Sequence, residues 1–316
     1  VPVPIKGRLT YPAPDWTERM TDGGVVFVDE CGSVPPALQA PLLGLISARR
    51  IGSHQLGPRV RVIGAMNSSE ISANGHDLSP PLANRFGHLK WGAPSVDQHA
   101  AYMLGQSEIT APQDAVAEEN RVMREWPDAW AMAIGLEVAF LQAQPQMKNS
   151  KVVAYDPAAS KAFASDRTWE YATRALAASE VHGLGLAARD EYVAAFIGQS
   201  TYEHFAAFIE AADLPRPADV LDGKVLFKWE PKRLDRSSAI VTACAALIVP
   251  EDAKQRRERA AMLWEIIGNA THYDITVPAA QAMVHAKLHV GMDAMPVLAK
   301  LEPVLRAAGI KQGHQL

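Results

Sequence analysis

Residues 24–30, Gly-Val-Val-Phe-Val-Asp-Glu, form a short apolar run that ends in two carboxylates. Such a run predicts a parallel strand buried on both faces, with its acidic residues emerging at the C-terminal edge. Gly32, Ser33, Pro35 and Pro36 come next, followed by a helical pattern over 37–50. Ser33 is suited to cap that helix and the prolines to its first turn. The polar stretch Arg50 to Gly57, with two glycines, reads as a hairpin or loop. Residues 59–67 alternate and then turn apolar, which predicts a second strand. Residues 78–86 suggest a short helix, and Gly-His-Leu-Lys-Trp at 87–91 a third strand. Apolar strands separated by a helix imply an α/β layer, whose ligands bind at the strand C-termini.

Beyond Pro94 the period changes. Ala-rich segments with helical spacing fill 95–105, 117–144, 158–182, 187–212, 236–248, 251–268 and 276–308. Pro145, Gly183 and the Pro-Arg-Pro at 215–217 interrupt them, and only 224–229 offers another possible strand. The expectation is an α/β plus all-α chain in three parts: 1–93, 94–185 and 186–316.

Composition narrows the function classes. With 48% hydrophobic and 21% charged residues, the chain has the make-up of an ordinary globular protein. A net charge of −4 gives no overall attraction to nucleic acid or anionic membrane, although a local basic patch stays open. Cys31 and Cys244 have no metal-ligand spacing, which fits a reducing cytoplasm. The longest uncharged apolar stretch, Ala239 to Val249, falls short of the roughly 20 residues of a membrane span. Val1 opens the chain inside an irregular Pro-rich segment, an unusual start for a domain, so the expectation is that upstream residues either were removed or never belonged to this polypeptide.

Four elements carry candidate chemistry. Asp29 and Glu30 at a strand end can divide labour, the first holding Mg²⁺ through water, the second polarising a water for in-line attack on a γ-phosphate. Ordinary strands also end this way. Asn67 closes the second strand and can orient the same water without competing for metal, or simply serve a turn. Arg85, in Leu-Ala-Asn-Arg-Phe, is either a surface residue at a helix end or an arginine offered to a neighbour's phosphoryl group. Arg167 falls in the first turn of a helix capped by Ser165 or Asp166. A cation there opposes the helix dipole, and such breaches of local rules sometimes mark function.

The order and spacing of these elements over 22–91 resembles the Walker B to β5 stretch of MoxR-like AAA+ ATPases, especially a bacterial and phage branch. The shared motifs are Val-Val-Phe-Val-Asp-Glu, Ala-Asn-Arg-Phe at 83–86 and Arg-Thr-Trp-Glu at 167–170. The segment 231–236 (Pro-Lys-Arg-Leu-Asp-Arg) is similar to that branch more loosely. The resemblance implies that Asp29 and Glu30 form the Walker B pair, Asn67 is sensor 1, Arg85 the arginine finger and Arg167 the sensor 2 arginine. It further implies an incomplete parallel αβα core, a helical lid and a helical C-terminal extension. ATP with Mg²⁺ would lie between the subunits of a homo-oligomeric, commonly hexameric ring that remodels an unknown protein client. The segment 49–61 is similar to the hairpin before sensor 1, so Arg49, Arg50, Arg59 and Arg61 are candidate contacts for an acidic client or nucleic acid, or else a solvated hairpin.

One departure stands out. None of the 316 residues forms a G-x-x-x-x-G-K-[ST] loop, which supplies the main phosphate cradle in such enzymes. The loop is expected upstream, giving a chaperone-like ATPase in the full protein. The alternative is a non-hydrolysing scaffold or interaction subunit. Without the first strand and its helix, the core should expose apolar edges and faces that normally pack. The glycines at 183 and 185 read as helix ends, and Trp126 with Trp130 as packing.

Overall fold

The run Val25 to Val28 is β-branched and aromatic, which suits a pleated strand, and it becomes the better part of β3 (Gly23–Val28). The computed structural model describes residues 3–5, 8–20, 23–67, 75–106, 114–152, 157–250 and 253–288. They divide into two units, Val1–His88 with Ser150–Thr168, and Leu89–Asn149 with Trp169–Leu316.

In the first unit, β1 (Val3–Ile5) and β2 (Arg8–Thr10) form a small antiparallel pair. β3 is followed by α1 (Ala40–Ser47), the hairpin β4 (Arg50–Ile51) and β5 (His54–Gln55), then β6 (Arg59–Gly64) and α2 (Pro80–Ala83). β3 and β6 pair in parallel, with Gly23 beside Arg59 and Val28 beside Gly64. One face of this pair carries Val26, Val28, Val60 and Val62 and packs with Leu45, Ile51 and Leu56. The expectation of burial on both faces is corrected: on the other face Val25, Phe27 and Ile63 are 51%, 59% and 49% exposed.

The hairpin is fixed from within. Arg49 adopts a left-handed backbone (φ 52°), and its Nη2 donates to the carbonyls of Gly57 at 2.6 Å and Val60 at 2.8 Å. At Gly52 (φ 57°) a Cβ would sit 2.5 Å from the Tyr11 carbonyl oxygen, so only glycine fits. Leu78, Leu82 and Ala83 pack with Leu42, Leu43, Ile46 and Phe86, which joins α2 to α1. Residues 87–91 are not a strand: His88 Nε2 bonds to the Ala83 carbonyl at 2.9 Å, and no β ladder includes them. Burial lowers the His88 pKa, so the neutral ring donates from Nε2 to that carbonyl.

The second unit is helical: α3 (Val96–Met103), α4 (Ala115–Ala143), most of α5 (Asp166–Val181), α6 (Leu186–Ile197), α7 (Gln199–Ala212), α8 (Pro217–Leu221), α9 (Leu234–Ile248), α10 (Ala253–Gly268) and α11 (Val277–His285). The expected single helix over 187–212 is two, parted by Gly198 at φ 83°. Residues 224–229 are irregular; Phe227 and Trp229 meet edge to face, and Trp229 donates to the Ile266 carbonyl at 3.0 Å. The C-terminal part of the helical stretch expected over 276–308 lies outside the described residues.

α9 is buried nearly all round and packs on α4 at close range. A Cβ on Gly135 would meet the Ala239 carbonyl oxygen at 2.3 Å, so glycine lets the two backbones touch. Phe140, Trp169 and Phe205 form an aromatic cluster with centroids 5.1–5.7 Å apart. Trp126 and Trp130 stack at 6.0 Å, as helical neighbours four apart do. Among the described residues, no helix is long and apolar enough to cross a membrane.

Candidate active site

Parallel pairing sets where the strand-end residues emerge. Beyond the strands, Ala65 N donates to the Val28 carbonyl at 2.9 Å and Cys31 N to the Ala65 carbonyl at 3.0 Å. Asp29 and Glu30 therefore leave the sheet at the same C-terminal edge as Asn67, and all three are exposed. That edge is where open α/β sheets bind ligands.

Glu30 is held in an uncommon way. Its φ of 54° is left-handed, a conformation costing a non-glycine residue about 1 kcal/mol. Its amide donates to Asp29 Oδ1 at 2.9 Å, and its Oε2 accepts from Ser33 Oγ at 2.9 Å. Ser33, expected to cap the next helix, instead orients this carboxylate, and Gln39 takes the position before α1. A strained backbone whose side chain is held by a hydrogen bond from three residues on is found at sites where direction matters.

Arg85 Nε donates to Ser47 Oγ, and Nη1 to the Pro81 carbonyl at 2.5 Å, so the guanidinium lies against the end of α1. Arg167 is in the first turn of α5, as expected, behind Ser165. Thr168 N donates to Ser165 Oγ at 3.3 Å, and Ser165 N to Thr168 Oγ1 at 2.8 Å. Arg167 Nη1 donates to Asn84 Oδ1 at 3.1 Å. The five candidates thus form two groups within the first unit: Asp29, Glu30 and Asn67 at the strand ends, and Arg85 and Arg167 around α2.

Two residues that the sequence patterns did not single out join these groups. Gln39 is fully buried; its Nε2 donates to the carbonyls of Val34 at 3.0 Å and Asp77 at 3.2 Å, and its Oε1 accepts from Ser79 N at 2.7 Å. It ties the loop after Glu30 to the start of α2. Asn84 is buried beside Arg85 and bonds Ser165 and Arg167. Phe86 adds an apolar link, since a Cβ on Gly64 would lie 3.4 Å from its ring and 3.3 Å from Cys31 Sγ. Burial raises the Cys31 thiol pKa, with Asp29 adding to the rise, so this cysteine is packed as a neutral thiol.

Asp29 offers the hard oxygen donor that Mg²⁺ prefers, and Mg²⁺ commonly takes only one or two protein carboxylates plus phosphate oxygens. No cluster of three or more His, Cys, Asp or Glu side chains suited to a metal occurs among the described residues.

No protein-family model, no curated protein and no solved structure matches this chain significantly. The functional reading rests on the residues themselves.

Proposed function

We propose that this chain carries the second half of an AAA+ ATP-hydrolysing module of MoxR type, whose turnover drives protein remodelling or assembly. The observation that carries the reading is the parallel β3–β6 pair, which brings Asp29, Glu30 and Asn67 to one C-terminal edge. In this scheme Asp29 would hold Mg²⁺ through water, and the bound ion would supply charge to offset the phosphates. Glu30, directed by Ser33, accepts hydrogen-bond density from the attacking water, and Asn67 orients that water. Arg167 faces phosphate of the same subunit, and Arg85 that of a neighbour in a homo-oligomeric ring. A P-loop segment outside these 316 residues completes the phosphate cradle, and the bare face of the sheet is consistent with a core awaiting further elements.

Arg85 engaged by Ser47 and Pro81 favours a second reading, a non-hydrolysing scaffold subunit in which that arginine is structural. The decisive comparison uses the full reading frame with its P-loop segment. Glu30→Gln is expected to abolish ATP turnover while ATP binding persists. Turnover equal to the parent's rejects the role given to Glu30, and a reading frame without any P-loop favours the scaffold.

A further inference from the structure

Gln39 stands at the N-cap of α1, yet its side chain makes no capping bond to that helix. A polar residue in this place ordinarily satisfies the helix's own first amides. Gln39 instead turns its amide outward while fully buried. Nε2 donates to the carbonyls of Val34 and Asp77, and Oε1 accepts from Ser79 N. An apolar side chain of similar size fills the same space without burying an amide. The hydrogen bonds, not the volume, therefore distinguish glutamine here.

The groups it joins belong to two segments of the candidate site. Val34 follows the turn that starts at Glu30, where Ser33 N donates to the Glu30 carbonyl at 2.8 Å and Ser33 Oγ to the Glu30 carboxylate at 2.9 Å. Asp77 and Ser79 lead into α2, which Asn84 and Arg85 follow. A second bond links the same two segments, from His76 N to the Gly32 carbonyl at 2.7 Å. At the last residue of α1, Ser47 Oγ accepts from Arg85 Nε. The helix is thus tied to the Glu30 turn and the entry to α2 at one end, and to Arg85 at the other.

We propose that Gln39 is a positioning residue for the hydrolytic site. It makes the Glu30 turn and the α2 entry open and close as one body, which fixes Glu30 relative to α2 and Arg85. The catalytic consequence rests on the nucleotide reading above; the mechanical coupling does not.

Hydrogen exchange of the 316-residue chain tests the coupling, with Gln39→Met to keep the volume and remove the bonds. In the parent, the amides of Ser33, His76 and Ser79 are expected to share one opening constant within about threefold, at least about tenfold above that of the strand-end amide of Ala65. In the variant all three should exchange about tenfold faster by a common factor, although only Ser79 bonds Gln39 directly. Acceleration of Ser79 alone overturns the proposal, because the bond is then a local brace. Parent protection equal to that of Ala65 also overturns it, because the segments then open only with the whole unit. Should Gln39→Met not fold, Ser79→Pro deletes one of the bonds at a φ of −60° that proline accepts. Unaccelerated Ser33 and His76 amides in that variant overturn the coupling.

Turnover of the full reading frame tests the catalytic consequence. Gln39→Met is expected to lower kcat about tenfold with KM for ATP within about twofold, because Gln39 touches no phosphate in this scheme. Parent-like kcat in the folded variant overturns the positioning role. A parent whose turnover survives Glu30→Gln rejects the nucleotide reading instead, and with it the catalytic consequence, while exchange still decides whether Gln39 joins the two segments.

Discussion

Arg167, in the first turn of α5, donates from Nη1 to the side-chain oxygen of buried Asn84 at 3.1 Å. A cation at a helix start is locally unfavourable, and this bond offsets the penalty. Because Asn84 also bonds Ser165, the residue that caps α5, one amide ties Arg167 to the start of its own helix. Asn84→Ala leaves Ser165 Oγ and Arg167 with a partner fewer. The first unit is expected to lose about 1–3 kcal/mol in urea denaturation. A loss below about 0.5 kcal/mol, within the range of ordinary surface changes, would show that the amide holds little.

Gln39 makes a stronger case, because all three of its hydrogen bonds go to backbone groups across the loop after Glu30. Gln39→Ala removes the side-chain partner of two carbonyls and one amide and opens a cavity, so a loss of about 3 kcal/mol is expected. Gln39→Glu should be nearly as damaging near neutral pH, since a carboxylate cannot donate to the Val34 and Asp77 carbonyls. Equilibrium unfolding of the two variants checks this, and a mild Gln39→Glu would refute the donor argument.

These residues show what the sequence made legible. The two strands, the hairpin, the short helix before Arg85 and the Ser165 cap follow from local period and capping chemistry, so their positions were readable. Gln39 and Asn84 also reach partners 38 to 83 residues away, and nothing in their neighbourhood announces this. The pairing of 150–168 with the first unit is equally non-local. The strand expected at 87–91 failed for a related reason: apolar pattern makes a strand only where a ladder partner exists. The bare sheet face is legible in outline, because no further apolar strand or helix in the sequence of the first unit is available to cover it.

Thr173 gives a pH-dependent test in the second unit. Its Oγ1 lies 2.8 Å from both Glu137 Oε2 and the Trp169 carbonyl oxygen, yet one hydroxyl has one proton. Both contacts are good when Thr173 donates to the carbonyl and a protonated Glu137 donates to Thr173. Burial raises the Glu137 pKa, against the opposing effect of the Thr173 bond. A raised folded-state pKa gives stability that is present below the unfolded value and lost as pH rises through the folded one. Glu137→Gln keeps the donor at every pH. Its melting temperature should exceed the parent's at about pH 8, with the gap closing toward about pH 4. A gap that widens on acidification would contradict the sign.

Glu30 allows stability and chemistry to be separated. Glycine relieves the left-handed strain at φ 54° but removes the carboxylate. Glu30→Gly is therefore expected to leave the first unit as stable as the parent or up to about 1 kcal/mol more stable. Glu30→Gln, which keeps the strain, should change stability little. Marked destabilisation by glycine, read in urea, would mean that the Ser33 bond outweighs the strain it accompanies.

The bare face of the sheet makes the last prediction. Phe27 and Ile63 are register partners and both about half exposed, beside Val25. Apolar side chains left in water on a strand pair favour association. Arg59 and Arg61, on the same face toward the other end, do not interrupt that apolar end. Phe27→Thr with Ile63→Thr places a β-branched, strand-compatible residue at both positions while removing apolar area. Light scattering should show less self-association at equal concentration, with a stability change of no more than about 1 kcal/mol, since half the burial energy of each side chain was never realised. Unchanged scattering would mean that the face does not drive association. A loss of several kcal/mol would mean that the folded chain already covers it. On the proposed P-loop reading, co-expression with a segment carrying that strand and helix separates self-association from completion: the parent should become monodisperse, and the threonine variant should bind that segment less well.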